Sequence, residues 1–239
     1  MPQKIFLNFN IDGLPVSKSS SGQFWPILAA LVDNALYTEP FPIGIYYGEK
    51  KSEDVNIFLQ ALVIDMVRIK DQGRIYINEK LIPVKVNAFV CDAPARAFIV
   101  GIKSHTGFYS CTKCICKGVF IKNRVVFPQL KCPLRTDVSF KNRMQPEHHL
   151  ISSILENTGI GMVSQFPMDY MHLVCLGVMK KLLQFWIRGT MNVRIKSHLL
   201  RSISDTYMKM RKFITKEFAR YPGSLLEIDR WKATEFRLF

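Results

Sequence analysis

Apolar and polar positions alternate in short runs through the first part of the chain and then take up a helical period. The run Ile5-Phe6-Leu7-Asn8-Phe9, between Lys4 and Asn10, is apolar and partly alternating, and it stops at Asp12-Gly13-Leu14-Pro15, which is turn chemistry. A strand ending in an aspartate is expected there. Ser17 to Gly22 reads as a loop, and Phe24 to Ala29 and Phe41 to Tyr47 read as two further strands, although Pro26 and Pro42 weaken both assignments. Between Ser52 and Lys70, the residues Val55, Phe58, Leu59, Leu62, Met66 and Ile69 recur at steps of three and four. That is one face of an amphipathic helix, with Ser52, Glu53 and Asp54 as its start signal. Arg74 to Ile77 and Pro83 to Cys91 are again strand-like, and the second run delivers Asp92 at its tip. The predicted class is therefore α/β.

Beyond Asp92, Ala93 to Ile99 opens like a short helix with proline in its first turn. A cysteine-bearing loop follows from His105 to Cys132, and Pro133 to Phe166 is polar and irregular. A long helix is expected from Asp169 to about Arg188, striped by Met171, Val174, Val178, Leu182 and Phe185, and more helix from Ile195 to Phe218.

Composition narrows the class. The 239 residues are 48% hydrophobic and 12% aromatic, enough for one full-sized core and at most a small second module. Lys and Arg number 33 against 19 Asp and Glu, and this net +14 favours a polyanionic partner, although a merely basic soluble protein has the same balance. No secretory signal or Arg-rich transit helix opens the sequence, and no stretch approaches the roughly 18 apolar residues that span a bilayer. A reducing intracellular compartment is the default, so the six cysteines read as buried thiols or metal ligands.

Four groups of residues could carry chemistry. Asp12 and Asp92 can bind hard divalent cations through oxygen, whereas aspartate after a strand is also ordinary turn chemistry. Cys111 and Cys114, spaced Cys-x-x-Cys, can share a tetrahedral zinc site that needs two more ligands. Cys116, Cys132, His148, His149 and His172 are the available donors. His148 or His149 is expected to complete the site, because Cys116 lies so close in sequence that it should point away. Reduced thiols without metal are the alternative. Asp169 and His172 share one helix face, as a cap with a paired histidine or as a cap beside an ordinary surface histidine. Arg96, Lys103, Lys113, Lys117, Lys122 and Arg124 follow the second aspartate and should flank its cleft, unless they form a solvated face.

Taken in order, Asn10-Ile11-Asp12-Gly13-Leu14-Pro15, Cys91-Asp92-Ala93-Pro94-Ala95-Arg96, the Cys-x-x-Cys, Phe166-Pro167-Met168-Asp169-Tyr170-Met171-His172 and Trp231-Lys232-Ala233-Thr234-Glu235-Phe236 resemble a CACTA-type (En/Spm-like) transposase. That family is placed in the wider CACTA, Mirage and Chapaev group of DDE transposases, and the resemblance spans nearly the whole chain. It implies a ribonuclease H-like mixed sheet flanked by helices, with a zinc-binding loop and a helical insertion, here C-terminally truncated. In such a sheet the first and fourth strands lie side by side, so Asp12 and Asp92 match the first two acids of the catalytic triad. Glu235 is the candidate third acid, and Asp169 with His172 matches an accessory motif between the second and third. The implied division is a core over 1–110, a cysteine- and histidine-bearing insertion over 111–166, and a helical insertion over 167–239. The implied cofactors are catalytic Mg2+ or Mn2+ and structural Zn2+. The implied partners are double-stranded DNA, its terminal inverted repeats and a second copy of the chain, in the nucleus. A degenerate or domesticated domain that binds DNA or protein without catalysis is the alternative.

Overall fold

The computed structural model describes residues 4–17, 22–32, 39–72, 74–77, 79–216 and 218–239, and the chain divides into two compact units, Met1–Pro167 and Met168–Phe239. The loop expected at Ser17 to Gly22 lies mostly outside the described residues.

In the first unit, β1 (Ile5–Ile11), β2 (Leu14–Pro15), β3 (Gln23–Leu31), β4 (Phe41–Gly48), β5 (Arg74–Ile77) and β6 (Lys80–Phe89) form one six-stranded mixed sheet of order β2-β3-β1-β6-β5, with β4 along the other edge of β3. β1, β3 and β4 run antiparallel in turn. β6 lies parallel to β1, from Ile5 opposite Val84 to Phe9 opposite Phe89. A parallel neighbour cannot be reached by a hairpin, and α1 (Val55–Gln72) supplies the crossover.

The period-two pattern sets which face is buried. Trp25, Ile27 and Ala29 of β3 alternate inward beside Phe9 and Ile11, and α1 covers them with Val55, Leu59, Leu62, Val63 and Met66. Both strand prolines sit where the pairing changes. Pro26 falls between the residues of β3 that pair with β2 and those that pair with β1, and Pro42 lies next to the irregularity at Ile27/Leu28, so each is tolerated. Phe89, fully buried, stacks between Phe9 and Phe166 with both centroid distances 5.1 Å. Burial of such a ring stabilises by about 2 kcal/mol, and truncation to alanine costs about 3–5 kcal/mol.

β5 pairs only with the first part of β6, up to Pro83. Further along, Gln165 closes the edge: its carbonyl accepts from Phe89 N at 2.8 Å, and its Nε2 donates to Val86 O at 2.8 Å. α2 (Ala93–Val100) follows β6 directly and ends at Gly101, whose φ of 73° is the left-handed conformation that closes a helix.

The cysteine-bearing segment contains a hairpin that the sequence pattern did not announce, β7 (Val119–Ile121) with β8 (Arg124–Val126). Its turn residues Lys122 and Asn123 both have positive φ, 49° and 60°, as a two-residue turn between twisted strands requires. The stretch that reads as irregular holds α3 (Asp137–Lys141) and two 3-10 turns. Its Phe140, Leu155, Met162, Val163 and Phe166 belong to the same core as the sheet.

The second unit is helical. The long helix expected from Asp169 is π-helical over Met171–Met179 and becomes α4 (Lys180–Arg188); α5 (Ser197–Lys209) and the short α6 (Ala233–Phe236) follow. The expected stripe is corrected here. Met171, Val178, Leu182 and Phe185 are exposed, and the inward residues are Cys175 and Leu183, with Leu176, Met179 and Ile187 packed behind them. A π-helix bonds i to i+5, so its turns are wider than the α period and rotate the buried face away from an α-spaced stripe. Leu200, Tyr207, Leu225, Ile228, Trp231 and Phe236 complete this second core. Among the described residues no helix is long and apolar enough to cross a membrane.

Candidate functional site

Asp12 leaves the end of β1 and Asp92 follows the end of β6, and since these strands are parallel neighbours both aspartates emerge at the same sheet edge. Together with Gly13, Gln23, Trp25 and Pro94 they line an open cleft of about 310 Å³. Each carboxylate is oriented by its own backbone. Asp12 Oδ1 accepts from Gly13 N at 2.8 Å, and Asp92 Oδ1 accepts from Ala95 N at 2.7 Å, capping α2. Half-burial and these bonds hold both side chains at the cleft. Gly13 is required by close approach, because a β-carbon there would stand 2.6 Å from the Trp25 ring. Cys91, buried next to Asp92 in the chain, has its thiol pushed up to about 12, first by burial. The Ile11 backbone bond and the Arg96 charge oppose that shift, and the charges of Asp92 and Asp12 add to it. The thiol therefore stays protonated and supplies no nucleophile.

The cysteine group differs from expectation. Among the described residues, the cluster that could hold a metal ion such as zinc is Cys114, Cys116 and Cys132, whose sulfurs lie within 4.8 Å of one another. Residues 113–115 run antiparallel to 133–135: Ile115 N donates to Pro133 O at 3.2 Å and Arg135 N to Lys113 O at 2.9 Å, with Cys114 opposite Leu134. That register sets Cys116 opposite Cys132, and the two are paired as a disulfide with Cα atoms 5.7 Å apart. In extended backbone, residues two apart share a face, so Cys116 turns toward Cys114 and not away from it. Cys111 Sγ lies 3.2 Å from Cys114 Sγ.

His148 and His149 are absent from this group. His148 is fully buried, its Nδ1 2.6 Å from the Tyr109 carbonyl, and His149 packs edge-on against Phe140 at 4.5 Å. Burial chiefly pushes each imidazole down to about 4, with Arg135 adding to the shift in both. They are neutral packing residues. Arg135, 4% exposed, donates from Nη2 to the carbonyls of Cys111 and Cys114 and to Gln145 Oε1. Burial lowers its pKa, opposed by the charges of Cys111 and Cys114.

From Ala93 to Thr136 the chain has no Asp or Glu. Of the basic residues expected to face DNA, Lys103, Lys117, Lys122 and Arg124 are exposed. Arg96 and Lys113 are not available, and this corrects the expectation. Arg96 is 7% exposed and donates to Pro167 O at 3.1 Å; Lys113 Nζ donates to Val163 O at 2.7 Å and Phe166 O at 2.8 Å. Both satisfy carbonyls of the segment that packs under the sheet. Sequence reasoning passed over Lys50 and Lys51, which line a groove with Ser52, Phe98 and Ser104 that shares Pro94 with the aspartate cleft.

In the second unit, Asp169 Oδ1 accepts from Met171 N and His172 N at 2.8 and 3.2 Å, while Oδ2 pairs with His172 Nδ1 at 2.5 Å. The carboxylate thus opens the helix and fixes the ring of an exposed histidine. Glu235 Oε2 accepts from Lys232 N at 2.7 Å, capping α6. Compared with known proteins, the chain matches no family model and no curated sequence.

Proposed function

We propose that this chain is the catalytic core of a DDE-type DNA transposase with a ribonuclease H-like sheet, acting on double-stranded DNA at terminal inverted repeats. The observation that carries the reading is the pair Asp12 and Asp92, delivered to one cleft by the ends of adjacent parallel strands. The strand order supports it too: β1, β3 and β4 run antiparallel in turn, α1 crosses over, and β6, preceded by its antiparallel partner β5, lies parallel beside β1. Oxygen ligands held at a solvent-accessible edge suit Mg2+ or Mn2+, which need only one or two carboxylates besides water and phosphate oxygens. Bound there, such ions activate an attacking water or 3′-hydroxyl and stabilise the leaving oxygen. Asp12 and Asp92 would hold them, with Glu235 the third acid by its order in the chain and His172 an accessory group. Lys50, Lys51, Lys103, Lys117, Lys122 and Arg124 would offset the repulsion between carboxylates and phosphates. The resemblance further implies a nuclear protein that works as a homo-oligomer.

A second reading, a transposase-derived domain that binds DNA without cutting it, is favoured by the local roles of all three acids, each of which accepts from a nearby backbone N–H. Nicking of supercoiled DNA in Mg2+ or Mn2+ separates the two. Metal-dependent nicking that falls to background in Asp12→Asn and Asp92→Asn, with circular dichroism unchanged, supports the enzyme. Salt-sensitive DNA binding without nicking supports the second reading, and nicking that persists in both variants refutes the assignment of the site.

A further inference from the structure

We infer that Cys111, Cys114, Cys116 and Cys132 hold one zinc ion in a closed four-thiolate site, and that this site fastens the base of the β7–β8 hairpin. The register of 113–115 against 133–135 aims three sulfurs at one point. The fourth, Cys111, is in contact with Cys114 at 3.2 Å. Zinc–sulfur bonds of about 2.3 Å set tetrahedral edges of about 3.8 Å, so sulfurs already this close need only small side-chain rotations to surround one ion. A Cys116–Cys132 disulfide accounts for two of the four and leaves unexplained why the other two converge on it.

A further observation fits anionic sulfur at this place. Arg135 is a buried cation that no Asp or Glu among the described residues pairs with, and its Nε has no hydrogen-bond partner. It lies against the backbone of Cys111 and Cys114. A zinc ion with four thiolates carries net negative charge and supplies the missing counter-charge. Soft thiolates select zinc over the hard ions suited to Asp12 and Asp92, so the two sites would not compete.

Loading balances simply. A dithiol reduces the Cys116–Cys132 bond and is itself oxidised to a disulfide; the four thiols then release four protons as they bind Zn2+. Residues Cys116 and Cys132 bracket the hairpin, whose tip exposes Lys122 in the turn and Arg124 at the start of β8 as trypsin sites. The site therefore controls whether that turn is presented on a fixed base.

The test uses the full chain purified in a dithiol without chelator, and none of its three readouts involves DNA, so it stands or falls apart from the nuclease reading. The expected result is about one zinc per chain. Its removal by a strong chelator should raise tryptic cleavage at Lys122 and Arg124 by about tenfold or more. Cobalt substituted for zinc should show the absorption of a tetrahedral thiolate site, weakened in Cys111→Ser, where folding is checked by circular dichroism. Three outcomes overturn the inference: less than about a tenth of a zinc per chain, a hairpin opened by reductant but indifferent to chelator, or an unchanged cobalt spectrum in Cys111→Ser.

Discussion

Acidification should destabilise the first unit through His148. The ring is 0% exposed and its pKa is pushed from 6.5 down to about 4. The unfolded chain therefore binds a proton below pH 6.5 that the folded chain refuses until about pH 4. Stability is complete above the unfolded value and is lost as pH falls through this window. At pH 5 the unfolded histidine is almost fully protonated and the buried one is not, a difference of about 2 kcal/mol. His149 shifts in the same direction and adds to the slope. In His148→Gln the side-chain amide can still donate to the Tyr109 carbonyl, but nothing titrates. The variant should start less stable at pH 7.5, having lost a packed ring, and should lose about 2 kcal/mol less than wild type on going to pH 5. Urea unfolding at both pH values, followed by pulsed hydrogen exchange in peptides covering Ile5–Ile11 and Lys80–Phe89, isolates this unit from the second. Equal losses in wild type and variant would refute the reasoning.

Three other outcomes can be checked with the same material. Asp92→Asn should keep the cap of α2 and cost at most about 0.5 kcal/mol, whereas Asp92→Ala should cost about 1–2 kcal/mol, read as the shift in urea midpoint. Lys113→Met, which strands the Val163 and Phe166 carbonyls, should destabilise the first unit by about 2 kcal/mol while leaving DNA affinity unchanged. Reversing the charge of Lys122 and Arg124 should weaken duplex binding in a mobility-shift titration and lower its salt dependence by about two counterions, with zinc content unaltered. Binding indifferent to that change would place the DNA elsewhere.

What the sequence revealed follows how local each signal is. β1, β3, β4 and α1 are written in residue periods, and the two aspartates in the turn and cap that end their strands, so both were legible. The cysteine group was not. Cys132 joins it through the register of two segments that local pattern does not encode, and the i, i+2 geometry of Cys114 and Cys116 depends on that segment being extended. Arg96 and Lys113 show the same limit. A basic residue in an acid-free stretch reads as surface, and only the folded chain shows which carbonyls it meets. The π-helical turns displaced a stripe that assumed the α period. For the hairpin, Lys122-Asn123 between apolar runs was a weak signal available to be read.

Gln165 bears on how one edge of the sheet meets strands from outside it. Beyond the reach of β5, the edge of β6 offers backbone donors and acceptors to any passing strand. Gln165 occupies it with one carbonyl and one side-chain amide, mimicking a partner strand while extending no ladder of its own. That stretch of β6 is thereby closed to an added strand, a contact whose hazard rises with concentration.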